Sequence, residues 1–208
     1  MDARLIEIHP DNPQPRLIAQ AARMLRDGGV AVYPTDTTYG LGCVLGNRQG
    51  VERIMRIKRL SPNHQLSLLC ADLSEISRLA RVDNRVYRIL KRWLPGPYTF
   101  VLNATREVPK GLLPKRQTIG LRIPDHPVCR ALLSELSTPL LSTSLRLPDE
   151  ERILGDPLEI HRRVGSLVDL VVDSGVLPER ASTVIDLTGD IPRVLREGIG
   201  DPGPFMPG

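Results

Sequence analysis

The chain has 208 residues, of which 41% are hydrophobic and 25% are charged, and this balance excludes a disordered or low-complexity protein. Lysine and arginine exceed aspartate and glutamate by only 28 to 24. The resulting net charge of +4 favours an anionic partner such as a nucleotide or RNA, but it says nothing about the fold. The length predicts a single globular domain over residues 1–208.

Cysteine and histidine spacing gives no sign of a metal site. No Cys-x-x-Cys, His-x-x-x-His or His-Glu-x-x-His pattern occurs, so we expect reduced thiols and no dedicated metal site. The N-terminus lacks the basic and apolar regions of a secretory signal, and no apolar run has the length of a membrane span. These features predict a cytoplasmic protein without membrane contact.

The first half of the chain alternates between short apolar runs and helical patterns. Strands are predicted at residues 4–9, 30–33 and 66–70, and helices at residues 14–27, at 49–60, from Asp72 onward, and at 84–94. Gly28-Gly29 ends the first of these helices, and Pro95-Gly96-Pro97 ends the last.

The second half continues this alternation. Strands are predicted at residues 98–102, 118–123, 140–145, 167–173, 182–187 and 192–197, and helices at residues 127–136 and 157–165. Residues 201–208, DPGPFMPG, are predicted to form a loose tail. Strands that alternate with helices predict an α/β fold, in which helices flank a twisted, mixed sheet.

A row of polar side chains follows the predicted strand 30–33. Residues 35–39 read Thr-Asp-Thr-Thr-Tyr and precede Gly40-Leu41-Gly42. Small hydroxylated side chains cannot build a core, so this row either forms a turn or holds a polar ligand. Ligands of α/β sheets bind beyond the carboxyl ends of strands, and this row lies at such an end.

Thr118 and Arg122 lie on one face of the predicted strand 118–123, because side chains alternate along a strand. An arginine within an apolar strand requires a partner, since a buried guanidinium is almost never unpaired. Two interpretations stay open. Arg122 forms a structural ion pair with an aspartate or glutamate, or it is a rigidly held cation that faces a ligand carboxylate or phosphate.

Further hydroxyls and cations lie at the ends of predicted elements: Lys58, Arg59, Ser142, Thr143, Ser144, Ser182, Thr183 and Arg196. Each has an ordinary explanation, because hydroxyls satisfy turns and cations favour helix C-termini. No Ser-His-Asp pattern, Walker loop or Gly-x-Gly-x-x-Gly occurs beside them. Together they suit an anionic substrate and no covalent nucleophile, as in nucleotidyl transfer, where positioning and charge neutralisation drive catalysis.

Six motifs occur in the order found in the YrdC-like domain family: PTDTTYGLG, a Lys-Arg helix end followed by LSLL, PGPYTFVL, TIGLRIP, LLSTS and STVIDL. The chain resembles this family over about residues 14–200. The resemblance implies an α/β fold with a twisted open sheet and a large basic concave cavity. It also implies a synthase that converts threonine, bicarbonate and ATP into threonylcarbamoyl-AMP and pyrophosphate for tRNA modification. ATP would enter with Mg²⁺ as a substrate, and no cofactor would be tightly bound.

The resemblance also assigns roles to individual residues. The threonine substrate would contact Thr37, Tyr39, Arg122, Ser144 and Ser182, and Arg122 would pair with its carboxylate. The nucleotide would contact Lys58, Thr118, Arg146 and Arg196, and Lys58 would face the phosphates. Lys58 and Arg122 are therefore the expected catalytic residues.

Three departures from the synthase motifs resemble the YciO branch of the family. Leu60 stands where synthases carry the arginine of Lys-x-Arg, and His64-Gln65-Leu66 replaces Asn-Pro-Leu. Ser144-Leu145-Arg146 replaces Ser-x-Asn. Because the lost groups belong to the ATP side, the departures imply a weak or altered synthase activity.

A binding function without synthase activity is the alternative. In that case the protein would bind double-stranded RNA, tRNA or the ribosome. The aromatic content of 3% disfavours stacking on single-stranded bases, but it leaves recognition of duplex RNA open.

Overall fold

The structure is a computed structural model that describes residues 2–61, 64–109, 117–148 and 150–206. The described strands are β1 (Arg4–Glu7), β2 (Ala31–Pro34), β3 (Tyr39–Val44), β4 (Ser67–Leu69), β5 (Tyr98–Asn103), β6 (Thr118–Arg122), β7 (Leu140–Ser144), β8 (Leu170–Asp173), β9 (Thr183–Asp186) and β10 (Arg193–Arg196). The described helices are α1 (Pro15–Arg26), α2 (Arg48–Ile57), α3 (Leu73–Leu79), α4 (Asn84–Trp93), α5 (Pro127–Leu136) and α6 (Pro157–Val164).

All of these strands belong to one mixed sheet, with the order β1-β8-β2-β3-β7-β4-β6-β5-β9-β10. β1 and β2 both pair in parallel with β8, β4 pairs in parallel with β6, and β5 pairs in parallel with β9. The other neighbours are antiparallel. The predicted α/β class with a mixed sheet flanked by helices is therefore confirmed.

Short polar side chains and prolines set the starts of the helices. Asn47, Asp72, Asp83 and Asp156 each accept a hydrogen bond from a backbone N–H of the first turn of α2, α3, α4 and α6, respectively. α1, α5 and α6 begin with proline, whose fixed φ suits the first helical position. Among the described residues, no helix has the length and apolar character needed to cross a membrane.

The two faces of the sheet are covered differently. On one face, α2, α3, α4 and α6 bury the larger core, which includes Leu41, Leu68 and Phe100. On the other face, the described helices that pack are α1 and α5, and they cover the β1-β8-β2-β3-β7 half around Tyr33 and Leu140. The β4-β6-β5-β9 half of this second face carries polar side chains instead: Ser67, Thr99, Thr118, Arg122 and Ser182.

β3 is the strand that the sequence patterns do not predict. Its residues Gly40 and Gly42 have low strand propensity, which hides the element. The ring of Tyr33, on neighbouring β2, explains the glycines. A Cβ at Gly42 would lie 2.5 Å from the Tyr33 hydroxyl, and one at Gly40 would lie 3.0 Å from Tyr33 Cε2. The Gly-x-Gly therefore makes room for a buried tyrosine.

The prediction of a loose C-terminal tail is wrong for residues 201–206, and residues 207–208 lie outside the described residues. Gly203–Phe205 form a 3₁₀ turn, and Phe205 is 6% exposed. Its ring packs 5.4 Å from that of Trp93 and 5.8 Å from that of Tyr98. One aromatic side chain is enough to anchor this short segment, and a composition rich in proline and glycine conceals that anchor.

Candidate functional site

A cavity of about 110 Å³ opens at the edge of the uncovered half of the second sheet face. Its wall consists mostly of hydroxyls and cations: Thr35, Thr37, Thr38, Tyr39, His64, Gln65, Ser67, Thr99, Arg122, Ser142, Thr143, Ser144, Ser182 and Arg196. Such a lining suits a small ligand with several polar groups and a negative charge.

The threonine row forms both a turn and one wall of this cavity. Thr35 Oγ1 donates to the Thr38 carbonyl oxygen at 2.6 Å and accepts from the Thr38 backbone N–H at 3.2 Å. This closes the connection between β2 and β3. Thr35 and Thr37 Oγ1 lie 3.2 Å apart, and both threonines line the cavity. The predicted turn is therefore confirmed, and the position of the row at the cavity keeps the ligand alternative open.

Arg122 lies at the floor of the cavity and is only 5% exposed. Its Nη1 donates to Thr37 Oγ1 at 2.9 Å, its Nη2 to Asp36 Oδ1 at 2.5 Å, and its Nε to the Gly96 carbonyl oxygen at 3.2 Å. Burial lowers the pKa of the guanidinium, and Asp36 opposes that shift. Three of five N–H donors are engaged, so two are left for a ligand.

The interpretation of Arg122 as a structural ion pair is confirmed, and its two unengaged N–H groups keep the ligand interpretation open. Asp36 is the acidic partner, and its side chain is 12% exposed. Its second carboxylate oxygen, Oδ2, is buried without a hydrogen bond among the described residues. Asp36 offsets the charge of Arg122 and fixes the plane of the guanidinium, which a bidentate contact with a carboxylate requires.

Three cations, Lys58, Arg146 and Arg196, form what we call the cation cluster beside the cavity. Lys58 Nζ donates to Thr143 Oγ1 at 3.1 Å and to the Ser144 carbonyl oxygen. Burial, together with the charges of Arg146 and Arg196, lowers the pKa of Lys58 to about 8. Two of the three N–H donors of Lys58 are used, which leaves one for a ligand.

Arg196 reaches the cavity from β10. Its Nη2 donates to the Ser182 carbonyl oxygen at 2.9 Å. Burial lowers its pKa, and the nearby charges of Arg146 and Arg122 act in the same direction. Within the described part of the chain, Arg146 is exposed and has no side-chain hydrogen bond. Like charges held this close repel one another, so the cation cluster would gain from a bound anion.

The structure brings most of the predicted site residues together. Thr37, Arg122, Ser144, Ser182 and Arg196 line the cavity, Lys58 contacts its wall, and Arg146 lies beside Lys58 and Arg196. Among the described residues lining the cavity, Thr118 does not occur. Thr118 lies on the same sheet face as Arg122, as predicted, and Gly120 lies between them on that face.

Tyr39 also lines the cavity, as predicted, but its hydroxyl is engaged by backbone groups of the turn after β8. Its side chain is fully buried, and its hydroxyl donates to the Gly175 carbonyl oxygen at 2.7 Å and accepts from the Ser174 N–H at 3.0 Å. The hydroxyl therefore ties β3 to the turn after β8. Because β3 was not predicted as a strand, the sequence patterns did not place Tyr39 in the core.

Asp36, Ser67 and Thr99 are site residues that the sequence predictions do not include. Asp36 stands inside the polar row, and the requirement of Arg122 for an acidic partner is the signal that points to it. Thr99 Oγ1 lies 2.8 Å from Ser182 Oγ. Ser67 and Thr99 lie in short strands that read as apolar core, so only the sheet register shows their position beside Gly120.

Gly120→Ala is expected to fill the cavity floor. A Cβ at Gly120 would lie 3.0 Å from Ser67 Oγ and 3.1 Å from Thr99 Cγ2, so both side chains must move. We expect about a tenfold loss of ligand affinity by calorimetry and a loss of about 1–3 kcal/mol in the free energy of unfolding. Gly189→Ala is the matched control, because its Cβ meets no described atom within 4 Å. Unchanged ligand affinity in Gly120→Ala would contradict this placement of the ligand.

The departures from the synthase motifs differ in their positions. Leu60 packs against the main core, so its side chain adds to the fold and not to the charge of the cavity. His64 lines the cavity beside Lys58. Burial lowers the pKa of His64, and the charge of Lys58 acts in the same direction. Arg146 is exposed near the other two cations. Position 60 therefore supplies no charge to the cavity, whereas Arg146 adds one beside Lys58 and Arg196.

Sequence comparison finds close relatives of unassigned role and more distant synthases. A family model described as Sua5, YciO, YrdC: Telomere recombination matches residues 23–198. The uncharacterized protein YciO of Escherichia coli is 52% identical over 200 residues, covering 96% of this chain and 97% of that one. A threonylcarbamoyl-AMP synthase of Chromobacterium violaceum is 40% identical over 137 residues, covering 65% and 70% of the two chains.

Structure comparison agrees. The crystal structure of E. coli YciO has a TM-score of 0.94 and 50% identity, covering 98% of this chain and 100% of that one. The crystal structure of P. abyssi Sua5 complexed with L-threonine has a TM-score of 0.87 and 26% identity, covering 94% of this chain and 58% of that one. Because the family model matches most of its length, the chain belongs to the Sua5/YciO/YrdC family.

Proposed function

We propose that the protein activates threonine by nucleotidyl transfer, in the manner of a threonylcarbamoyl-AMP synthase. Threonine, bicarbonate and ATP would give threonylcarbamoyl-AMP and pyrophosphate, as a step towards threonylcarbamoyladenosine in tRNA. The observation that carries the proposal is the buried Arg122, which lies at the floor of a hydroxyl-lined cavity beside the cation cluster. The threonine-bound homologue and the synthases among the relatives support it.

The floor of the cavity fits the amino-acid end of the reaction. The two unengaged N–H groups of Arg122 would bind the threonine carboxylate. Thr37, Ser144 and Ser182 offer hydroxyls to the hydroxyl and amino groups of the substrate. A site that hydrogen-bonds a substrate hydroxyl rejects an analogue without one, because its own polar groups would be left unpaired. Threonine and serine should therefore bind better than valine.

The cation cluster fits the nucleotide end. Lys58, Arg146 and Arg196 would face the triphosphate and neutralise the charge that develops on leaving pyrophosphate. ATP would bring Mg²⁺, which binds phosphate oxygens and needs few protein ligands. That requirement fits a cavity whose described wall has hydroxyls and cations but no carboxylate. Thr118 lies on the same sheet face and would contact the nucleoside only if that part of ATP extends along β6.

The chemistry needs positioning more than a nucleophilic side chain. Bicarbonate would take up a proton and release water to give carbon dioxide. The neutral threonine nitrogen would attack its carbon and lose a proton, which gives a carbamate. A carbamate oxygen would then attack the α-phosphorus of ATP, and the bond to the bridging oxygen of pyrophosphate would break. Carbamates are labile in water, so the buried floor around Arg122 would protect this intermediate. Leu60 lacks the charge of the arginine in the synthase motif, and His64 replaces the asparagine of Asn-Pro-Leu, which supports a weak or altered activity.

Pyrophosphate release tests the proposal. It is measured from ATP and Mg²⁺ with threonine and bicarbonate each present or omitted. We expect release that requires both co-substrates and that is lost in Arg122→Met/Asp36→Asn, a variant without an unpaired buried charge. Release no greater than that of the variant, at saturating threonine and ATP, would overturn the proposed activity.

ATP affinity should fall as the pH rises through about 8, the pKa of Lys58 in the fold. The reason is that the amine loses its charge above this pH. In the unfolded chain the lysine pKa is about 10.4, so the unfolded state binds this proton more tightly, and stability should rise with pH across the same window. Calorimetric ATP titrations and urea unfolding at several pH values would show these opposite trends. In Lys58→Arg, whose charge persists, neither trend should remain; a fall in affinity that persists there would contradict the assignment.

Binding of duplex RNA, tRNA or the ribosome is the second candidate. The exposed Arg146, which lies near Lys58 and Arg196, favours it. Such binding would weaken steeply with salt, since each phosphate contact releases counterions. Salt-sensitive duplex RNA binding that is retained in Arg122→Met/Asp36→Asn, in a protein without pyrophosphate release, would favour this candidate.

A further inference from the structure

A second cavity, of about 290 Å³, lies on the opposite side of the sheet from the polar cavity. We call it the α4 groove. Its apolar floor is formed by α4, the segment before β10 and the C-terminal 3₁₀ turn, through Ile89, Trp93, Pro192, Pro204 and Phe205. Val86 and Leu90 anchor α4 to the larger core, which places this groove on the face away from the cation cluster.

The floor of the α4 groove is rigid. Trp93 packs edge-on to Tyr98 at 5.3 Å and lies 5.4 Å from Phe205. Phe205 in turn packs 5.9 Å from Phe100, a fully buried residue of the central sheet. Because these rings hold one another in place, the groove exists before any partner arrives, and a bound apolar side chain would order little of the protein.

Arg88 and Arg92 form one wall of the α4 groove. Arg88 Nε donates to the Asn84 carbonyl oxygen at 3.2 Å, and the Arg92 guanidinium carbon lies 5.3 Å from the centre of the Trp93 ring. Within the part of the chain that the structure describes, neither has an acidic partner. Both keep N–H donors for an external carboxylate.

Helix α4 itself is strongly positive. Residues 84–93 contain four Lys and Arg side chains and no Asp or Glu, a net charge of +4, which equals that of the whole chain. The remaining residues therefore sum to zero. A local surplus of this size attracts an anionic partner to this helix.

Apolar side chains at the rim distinguish a protein partner from a nucleic acid. Ile191, beside Pro192, is 72% exposed, and Met206, beside Phe205, is 46% exposed. A phosphate backbone would contact the arginines and leave this apolar surface in water. A peptide covers both, and the combination of aromatic, Met and Arg side chains is typical of protein interfaces.

We propose that the α4 groove docks an acidic segment of a partner protein. One large apolar side chain of that segment would lie against Trp93 and Phe205, and flanking carboxylates would pair with Arg88 and Arg92. This surface is separate from the polar cavity, so it would recruit or position the protein without taking part in the reaction proposed above.

Selection of peptides tests this docking surface. A random dodecapeptide library displayed on phage is selected on the full chain, and the affinities of synthetic enriched peptides are measured by fluorescence anisotropy. We expect a consensus with one Trp, Phe or Leu flanked by Asp and Glu. Arg88→Gln/Arg92→Gln should weaken these peptides about tenfold or more, since it removes both partners of their carboxylates. Ile191→Ser should weaken them through lost apolar contact.

Controls separate this result from general charge effects. Arg16→Gln/Arg48→Gln removes the same charge at exposed positions and should leave peptide affinity unchanged. Pyrophosphate release should be the same in Arg88→Gln/Arg92→Gln as in the wild type. The proposal would be overturned if the enriched peptides show no acidic and apolar consensus. It would also be overturned if they bind Arg88→Gln/Arg92→Gln as tightly as the wild type. One further result would overturn the proposal. An RNA duplex of about 20 base pairs would bind in a salt-sensitive manner that depends on Arg88 and Arg92, while peptide binding would not depend on them.

Discussion

Arg122→Ala is expected to lower the free energy of unfolding by about 3–5 kcal/mol and to abolish threonine binding, because it leaves Asp36 buried without its cation. Asp36 Oδ1 accepts from Arg122 at 2.5 Å, and its Oδ2 already lacks a partner among the described residues. The loss also frees Thr37 Oγ1, which accepts from Arg122 at 2.9 Å. Urea unfolding would measure the stability, and calorimetry the binding of threonine.

The double variant Arg122→Met/Asp36→Asn separates these two effects. Replacing both charges removes the unpaired carboxylate, so most of the lost stability should return. Threonine binding should not return, because methionine offers no donor to a carboxylate. If the double variant binds threonine as the wild type does, Arg122 is a structural residue only. If it is as unstable as Arg122→Ala, the ion pair is not the source of the instability.

The fold was largely predictable because its elements carry local signals. Helix starts at Asp72 and Asp156 show capping residues, and the strands 98–102 and 182–187 have apolar, β-branched sequences. β3 lacks such a signal, because its glycines, Gly40 and Gly42, are required by the ring of Tyr33 on another strand. Phe205 is anchored by Trp93, which is far away in sequence. Elements determined by distant partners are the ones that local patterns miss.

In the candidate site, too, features with a local sequence signal were predictable and features that depend on distant residues were not. The face shared by Thr118 and Arg122 follows from strand alternation and is confirmed. The pairing of Arg122 with Asp36 depends on how β6 meets the turn between β2 and β3, which no local pattern contains. Strand alternation also cannot show that Tyr39 points its hydroxyl at the turn after β8. Chemistry-bearing residue types were therefore predictable, whereas their hydrogen-bond partners were not.

Lys58→Met is expected to lower ATP-dependent pyrophosphate release by about 10²–10³-fold and to leave threonine affinity nearly unchanged. The distinction follows from geometry. Lys58 Nζ contacts Thr143 and Ser144 of the cavity wall, whereas Arg122 is bonded to Thr37 and Asp36. Initial rates at saturating threonine would measure the first effect, and calorimetry the second.

Lys58→Met should lower the free energy of unfolding little, although it lowers the activity strongly. Lys58 is held beside Arg146 and Arg196, and burial together with these neighbouring charges lowers its pKa to about 8. Removing one of three repelling charges offsets the loss of its hydrogen bonds, so we expect the free energy of unfolding to change by less than about 1 kcal/mol. ATP should raise the melting temperature of the wild type and of Lys58→Arg, but not that of Lys58→Met. Equal stabilisation of all three by ATP would mean that the triphosphate binds away from the cation cluster, and the nucleotide end of the proposed reaction would have to be placed elsewhere.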